Sequence, residues 1–326
     1  MFKQFKRSWL LSNKHYLLPL LILLMILNGA LAFSGIIIAL FIFLFNIIRA
    51  RLPIDPGGSW EAESYIYKKT DDAELKLDLY RSGNSEWQNA VILFAHGGGW
   101  ISGSRIQPRN VSWCRFLSSR GFCVASIDYR FAFRHSMDDI LEDFSDAVSY
   151  IRNESTALGI SSRNIILMGL SAGGHLALSY AAFNSSESNT GPMEGVRGVI
   201  AYYSPSDLRD LFSTEDKSLF ARFGAGTAVK TLSHYDEEAY LRYSPTNWFT
   251  KKMVPVMAVH GRKDEIVPYS SSVKMIKRLK ELGVTCRFLV HKTGGHGFEV
   301  ISKDYRTTKI LEETVQFVKN LIVDES

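Results

Sequence analysis

Gly169-Leu170-Ser171-Ala172-Gly173 is the segment of this chain best suited to covalent chemistry. It follows the apolar run Ile165–Met168 and precedes Gly174-His175-Leu176-Ala177-Leu178, which suits a helix. A serine in a G-x-S-x-G turn between strand and helix has its hydroxyl exposed on a sharp, strained bend. Side chains two positions to either side would clash in so tight a turn, and glycine removes them. The helix N-terminus behind the serine favours developing negative charge. This pattern predicts Ser171 as a nucleophile. Gly/Ser/Ala runs also occur in ordinary turns, so the pentapeptide needs partners before it means a reaction.

One partner is His96-Gly97-Gly98-Gly99-Trp100, which follows the apolar run Val91–Ala95. Serine attack on a carbonyl creates an oxyanion, and backbone N–H groups of a glycine-rich loop can hold it. Losing one such donor costs about 3 kcal/mol of transition-state stabilisation. Gly98 and Gly99, with Ala172 after the nucleophile, are the expected donors, and Gly97 is the substitute. His96 is expected to hold the loop by hydrogen bonds rather than to move protons. Trp100 either contacts substrate or packs inward. No G-K-[ST] follows the glycines, so a phosphate-binding loop is unsupported.

An acid and then a histidine should follow the serine in chain order. The run Val254–Val259 leads into His260-Gly261-Arg262-Lys263-Asp264-Glu265-Ile266-Val267-Pro268. An acid just past a strand lies on the ligand-binding edge of an open α/β sheet. Asp264 is the predicted acid, with Glu265 second and Asp207 third. The run Cys286–Val290 leads into Lys292-Thr293-Gly294-Gly295-His296-Gly297-Phe298. A glycine-flanked His296 after the last strand can reach the serine, whereas His291 sits at the strand's end. His296 is the predicted base.

These residues require strands that end on one edge. Short apolar runs recur at Tyr65–Tyr67, Leu75–Leu79, Val91–Ala95, Val124–Ile127, Ile165–Gly169, Gly198–Tyr203, Val254–Val259 and Cys286–Val290. Helical periodicity falls near Asn110–Ser119, Met137–Glu154, Gly173–Ala182, Ser270–Leu282 and Thr307–Val323. Strands alternating with helices predict a mostly parallel sheet in an α/β protein. The later runs are apolar throughout, as parallel strands covered on both faces are. The first two alternate, which suits an antiparallel edge hairpin.

The set HGGGW, GLSAGGHLA, HGRKDEIVP and GGHGF resembles the α/β-hydrolase superfamily over about residues 64–323. Within it the chain is most similar to the carboxylesterase and hormone-sensitive-lipase-like group, including acetyl-xylan- and feruloyl-esterase-like members. The resemblance implies an α/β-hydrolase fold, a Ser171–Asp264–His296 triad and an oxyanion hole from the 97–99 loop and Ala172. It also implies that Asp128-Tyr129-Arg130 braces that loop. Residues 204–250, rich in aromatics, are expected to form a small cap, whose aromatics either pack it down or line a pocket. Hormone-sensitive-lipase-like members usually carry Asp before the nucleophile. Leu170 stands there, which points toward the small-ester and carbohydrate-esterase relatives.

Residues 1–16 form a basic flank and residues 17–48 an uncharged apolar run closed by Arg49 and Arg51. About 32 residues at 1.5 Å rise span about 48 Å, enough for one tilted membrane helix and too little for two. Ala30-Leu31-Ala32 would fit signal-peptide cleavage, but the apolar run resumes at Ile36 and would still anchor the chain. Lys3, Lys6, Arg7 and Lys14 outnumber the two arginines beyond, predicting a cytoplasmic N-terminus and an extracytoplasmic catalytic domain. Residues 49–63 read as a linker, and residues 64–326 as the catalytic domain.

The net charge of +5 is mild and no basic block is interleaved with aromatics, so nucleic acid is not an expected partner. Cys114, Cys123 and Cys286 form no CxxC pair, and neither metal nor organic cofactor is implied. The leading function is a membrane-anchored hydrolase of small-molecule, lipid or carbohydrate esters. The alternatives are a serine peptidase or amidase of the same fold, or a non-catalytic binding module.

Overall fold

The structure, a computed structural model, describes residues 50–54, 61–82, 90–185, 191–213 and 218–322. The predicted membrane segment at 17–48 lies outside them. Among the described residues no helix is long and apolar enough to cross a membrane.

The elements begin with β1 (Ala62–Lys69) and β2 (Glu74–Tyr80), then β3 (Val91–Ala95), α1 (Pro108–Ser119), β4 (Cys123–Ile127), α2 (Met137–Asn153) and the single turn α3 (Ser155–Leu158). Next come β5 (Ile165–Leu170), α4 (Ala172–Asn184) and β6 (Val196–Tyr202). An insertion carries α5 (Leu219–Val229) and α6 (Glu237–Arg242). The chain closes with β7 (Val256–Gly261), α7 (Tyr269–Glu281), β8 (Cys286–His291), the short α8 (Phe298–Ile301) and α9 (Tyr305–Lys319).

The eight strands form one sheet in the order β1-β2-β4-β3-β5-β6-β7-β8. β2 pairs antiparallel with both β1 and β4, and every other pairing is parallel. Every residue of β3, β4, β5 and β7 is buried. Both faces of the central sheet are therefore covered, and alternation would have placed polar side chains in the core. β1 lies at the edge, and its mixed burial matches its alternating sequence. This is the α/β-hydrolase architecture. Parallel pairing sends the C-terminal ends of β3, β5, β6, β7 and β8 to one edge, where residues 96–100, 171, 203–207, 262–268 and 292–298 follow.

Local chemistry fixes the helices around that edge. α2 begins with a capping box: Ser136 accepts from Asp139 N–H, and the Asp139 carboxylate accepts from Ser136 N–H. α9 is capped by Asp304, which accepts from Thr307 N–H. β7 starts at Val256 rather than at the predicted Val254, because Pro255 has no N–H to give the ladder. α9 ends at Lys319, short of the predicted Val323.

Asp143 ties the antiparallel edge to the body. Its carboxylate is wholly buried and lies 2.9 Å from Lys68 Nζ on β1 and 2.8 Å from Arg130 Nη2 beyond β4. Removing one member of such a cluster leaves buried charge uncompensated. Asp143→Ala is expected to destabilise the domain by about 3 kcal/mol or more, read as a lower urea midpoint at unchanged m-value.

Candidate active site

Ser171 has φ +52° and ψ −116°, a conformation that costs a non-glycine residue about 1–3 kcal/mol. Neighbouring backbone imposes it. A Cβ on Gly169 would lie 2.2 Å from the Gly173 carbonyl carbon, and one on Gly173 would lie 2.2 Å from Ala95 O. Ser171 N–H donates to Tyr202 O at 2.8 Å, which binds the turn to the end of β6. His175 N–H donates to Ser171 O at 3.0 Å and starts α4 immediately.

The glycine loop lies against this turn. A Cβ on Gly97 would be 3.0 Å from Leu170 O and 3.3 Å from Ser171 Cβ. Gly98 (φ +131°) and Gly99 (φ +62°) occupy left-handed backbone that glycine adopts at little cost. Gly98 O is held by Ser102 N–H at 3.1 Å, which folds the loop back on itself. His96 is buried, with Nδ1 donating to Gly97 O at 2.8 Å, while its own carbonyl accepts from Tyr129 O–H at 2.8 Å. Burial pushes the His96 imidazole below its ordinary range, although the Gly97 bond opposes this. Asp128 accepts from Arg105 N–H at 3.0 Å, and its carbonyl accepts from Tyr67 O–H at 2.7 Å. Asp128 and Tyr129 thus brace the loop, whereas Arg130 turns away to Asp143.

Asp264 and His296 meet at the next strand ends. His296 Nδ1 donates to Asp264 Oδ2 at 2.8 Å. Asp264 Oδ1 accepts from Ile266 N–H at 2.8 Å and Val267 N–H at 2.9 Å. Burial alone would raise this carboxyl, but the neighbouring His296 charge and the bonds from His260 and His296 hold it well below the usual carboxylate range. Gly261 makes the approach possible, since a Cβ there would lie 2.4 Å from Gly294 O. The competing residues are engaged elsewhere. Glu265 is exposed, Asp207 caps the turn at Leu208–Phe212 and pairs with Arg209 at 2.7 Å, and His291 faces Asp304 at 3.1 Å.

A cluster that the sequence reading did not find backs His296. Tyr203 (φ +37°) sets its ring 4.5 Å from the His296 ring. The Tyr203 hydroxyl donates to Glu299 Oε1 at 2.8 Å, and Arg109 Nη2 donates to the same oxygen at 2.6 Å. Glu299 is fully buried, so α1, β6 and the histidine loop close on one carboxylate.

The insertion sits on the glycine loop. A Cβ on Gly224 of α5 would lie 2.7 Å from Gly99 O, and Phe220 Cζ is 3.1 Å from where a Gly99 Cβ would be. Leu219, Phe220 and Phe223 remain exposed along α5, with Phe133 6.2 Å from Phe223. Tyr240 and Tyr243 are buried and pack the insertion down. A cleft of about 710 Å³ inside the insertion, lined by Val229, Arg242, Tyr243 and Trp248, includes none of Ser171, Asp264 and His296. Of the two readings of Trp100, a substrate contact or inward packing, the described side chain shows the packing. Its positive φ (+62°) turns the indole inward, where it is 2% exposed and packs edge-on 5.1 Å from His175.

A strained serine between strand and helix, a glycine loop against it, and an Asp–His pair on the same edge define an α/β-hydrolase. The BD-FAE family model matches residues 77–279, and the chain belongs to that family. It is 27% identical to esterase LipC of Mycobacterium tuberculosis, over 75% of this chain and 63% of LipC. It is 26% identical to isoprenylcysteine α-carbonyl methylesterase ICME of Arabidopsis thaliana, over 74% of this chain and 60% of ICME. The chain thus spans less than two thirds of the length of these curated relatives. Among solved structures, the thermophilic esterase Est2 of Thermogutta terrifontis with butyrate bound is similar, with a TM-score of 0.65 and 25% identity. That match covers 83% of this chain and 97% of Est2.

Two measurements follow from this geometry. Gly173→Ala would drive a methyl into Ala95 O and is expected to abolish soluble folded protein or the Ser171 turn. Circular dichroism and fluorophosphonate labelling read these outcomes. His175 is fully buried and lies 2.8 Å from Tyr243 O, and burial lowers its pKa to about 4. The unfolded chain therefore binds a proton near the ordinary value of 6.5 while the folded chain does not. Stability should then fall as pH drops through 6.5 toward 4, by roughly 2 kcal/mol from this group between pH 7 and pH 5. Urea midpoints at the two pH values should differ less in His175→Gln.

Proposed function

We propose that this protein hydrolyses carboxylic esters through an acyl-enzyme on Ser171. The observation that carries the reading is the 2.8 Å bond from His296 Nδ1 to the buried Asp264 carboxylate, on the sheet edge that also holds the strained Ser171. Asp264 fixes Nδ1–H on His296, which leaves Nε2 as the base. His296 Nε2 takes the Ser171 proton as Oγ attacks the carbonyl carbon. The oxyanion is received by the N–H groups of Gly98, Gly99 and Ala172. Among the described residues, none of the three donates to another backbone group outside helix and strand ladders. The C–O bond to the alcohol then breaks, and His296 returns the proton to the leaving oxygen. Water repeats the attack and releases the acid.

The family and the esterase relatives support an ester rather than an amide substrate. The substrate class is a small-molecule, lipid-derived or carbohydrate ester. The uncharged run at 17–48 supports a membrane-anchored enzyme, and its flanking charges support an extracytoplasmic catalytic domain.

Purified full-length protein should turn over p-nitrophenyl esters, and Ser171→Ala should lose on the order of 10⁴-fold or more in kcat. Undiminished turnover in the variant contradicts the assignment. Protease added to intact cells should digest the catalytic domain, and full protection refutes the orientation.

A further inference from the structure

We propose that His260 is a positioning residue for the catalytic acid, a second histidine that donates permanently to Asp264 and sets how much of its charge falls on His296. The inference rests on the triad reading above and deepens it.

His260 is fully buried in β7. Its Nε2 lies 3.1 Å from Asp264 Oδ2 and 3.1 Å from Val267 O. Its Nδ1 lies 2.7 Å from Ser272 Oγ on α7. An ionised carboxylate and a backbone carbonyl can only accept. Two acceptors at one ring nitrogen require a proton there, so Nε2 carries N–H whatever the state of Nδ1. Ser272 completes the arrangement, because its hydroxyl can donate to a bare Nδ1. The tautomer of His260 is thus dictated by its neighbours, and its Nε2–H, bonded to Val267 O, also lies within 3.1 Å of the triad acid.

A carboxylate offers about four lone-pair sites. On Asp264, Ile266 N–H and Val267 N–H take the two sites of Oδ1 and His296 takes one of Oδ2, with His260 Nε2 3.1 Å from Oδ2 at the fourth. A rotated carboxylate would break these bonds inside a site with little water to replace them. Without His260, Oδ2 would face His296 alone. More negative charge would fall on the imidazole, its protonated form would be favoured, and the carboxylate could rotate. Enzyme with neutral His296 is the active form, so the acid limb of the kcat/KM profile should move to higher pH. Among the described residues, the titratable groups facing His260 are Asp264 and Tyr269 of α7, at 5.8 Å between rings, and those facing His296 are Asp264 and Tyr203, with the Arg109–Glu299 pair behind. On the strand side it sits opposite Val290 of β8.

The test compares His260→Leu and His260→Gln with wild-type full-length protein, using one soluble p-nitrophenyl ester across pH. Glutamine retains an N–H donor near the position of Nε2, and leucine does not. His260→Leu is expected to lose about tenfold to a hundredfold in kcat. Its KM should stay within about twofold, as for loss of an interaction made only in the transition state. Its acid limb should shift upward, and His260→Gln should recover most of both changes. Wild-type kcat with an unmoved limb in His260→Leu overturns the proposal. So does an equal fall in both variants without a shift, which is the mark of packing alone. If His260→Leu does not fold, ¹⁵N-histidine NMR of the wild type decides. A proton on His260 Nε2 supports the proposal, and a bare Nε2 overturns it. This readout needs no turnover, so a chain that cleaves no ester would sink the esterase reading while the His260 assignment was still tested.

Discussion

The site depends on a strained backbone at one residue. Ser171 adopts a positive φ that its side chain disfavours, and it stays there because glycines on both sides allow β3 and β6 to press against the turn. The cost of about 1–3 kcal/mol is set against the hydrogen bond to Tyr202 O and the start of a thirteen-residue helix. Given that turn, the hydroxyl is held at the end of β5, and the glycine loop after β3 has one place to lie. A backbone that relaxed to ordinary angles would move the Ser171 hydroxyl away from both.

The second constraint is electrical. Asp264 is a buried charge, and a buried charge persists only when donors surround it. Two backbone N–H groups and His296 supply them, and His260 Nε2 lies 3.1 Å from Oδ2. Glu299, behind His296, receives Arg109 and Tyr203 on Oε1, while its buried Oε2 has no hydrogen-bond partner among the described residues. The histidine loop is therefore fixed at both ends by buried carboxylates: one directs the ring, and the other holds the chain that carries it.

Much of this was legible in the sequence, for identifiable reasons. β3 runs over Val91–Ala95 as predicted, since a fully buried parallel strand is a plain apolar run. The glycines at 98, 169 and 173 report backbone geometry directly, because a Cβ at any of them would lie within about 2.2 Å of backbone atoms. Other features depend on three-dimensional approach and leave no periodic trace. α5 is interrupted by Gly224 and Gly226 and shows apolar residues to solvent, so its helical pattern is obscured. Its Gly224 matters only because Gly99 lies opposite. His260 reads as an ordinary strand-end residue until the loop returns Asp264 to it. Trp100 follows the glycine loop in sequence, but its left-handed backbone accompanies a ring buried in the core.

In the proposed reaction Ser171 carries the acyl group during turnover. Rapid quenching of the full-length protein with a slowly deacylating p-nitrophenyl ester, followed by peptide mass mapping, tests it directly. A burst of p-nitrophenol matching enzyme concentration is expected, with the acyl mass on Ser171. Steady turnover with no acylated peptide, or an acyl group on another side chain, would contradict it.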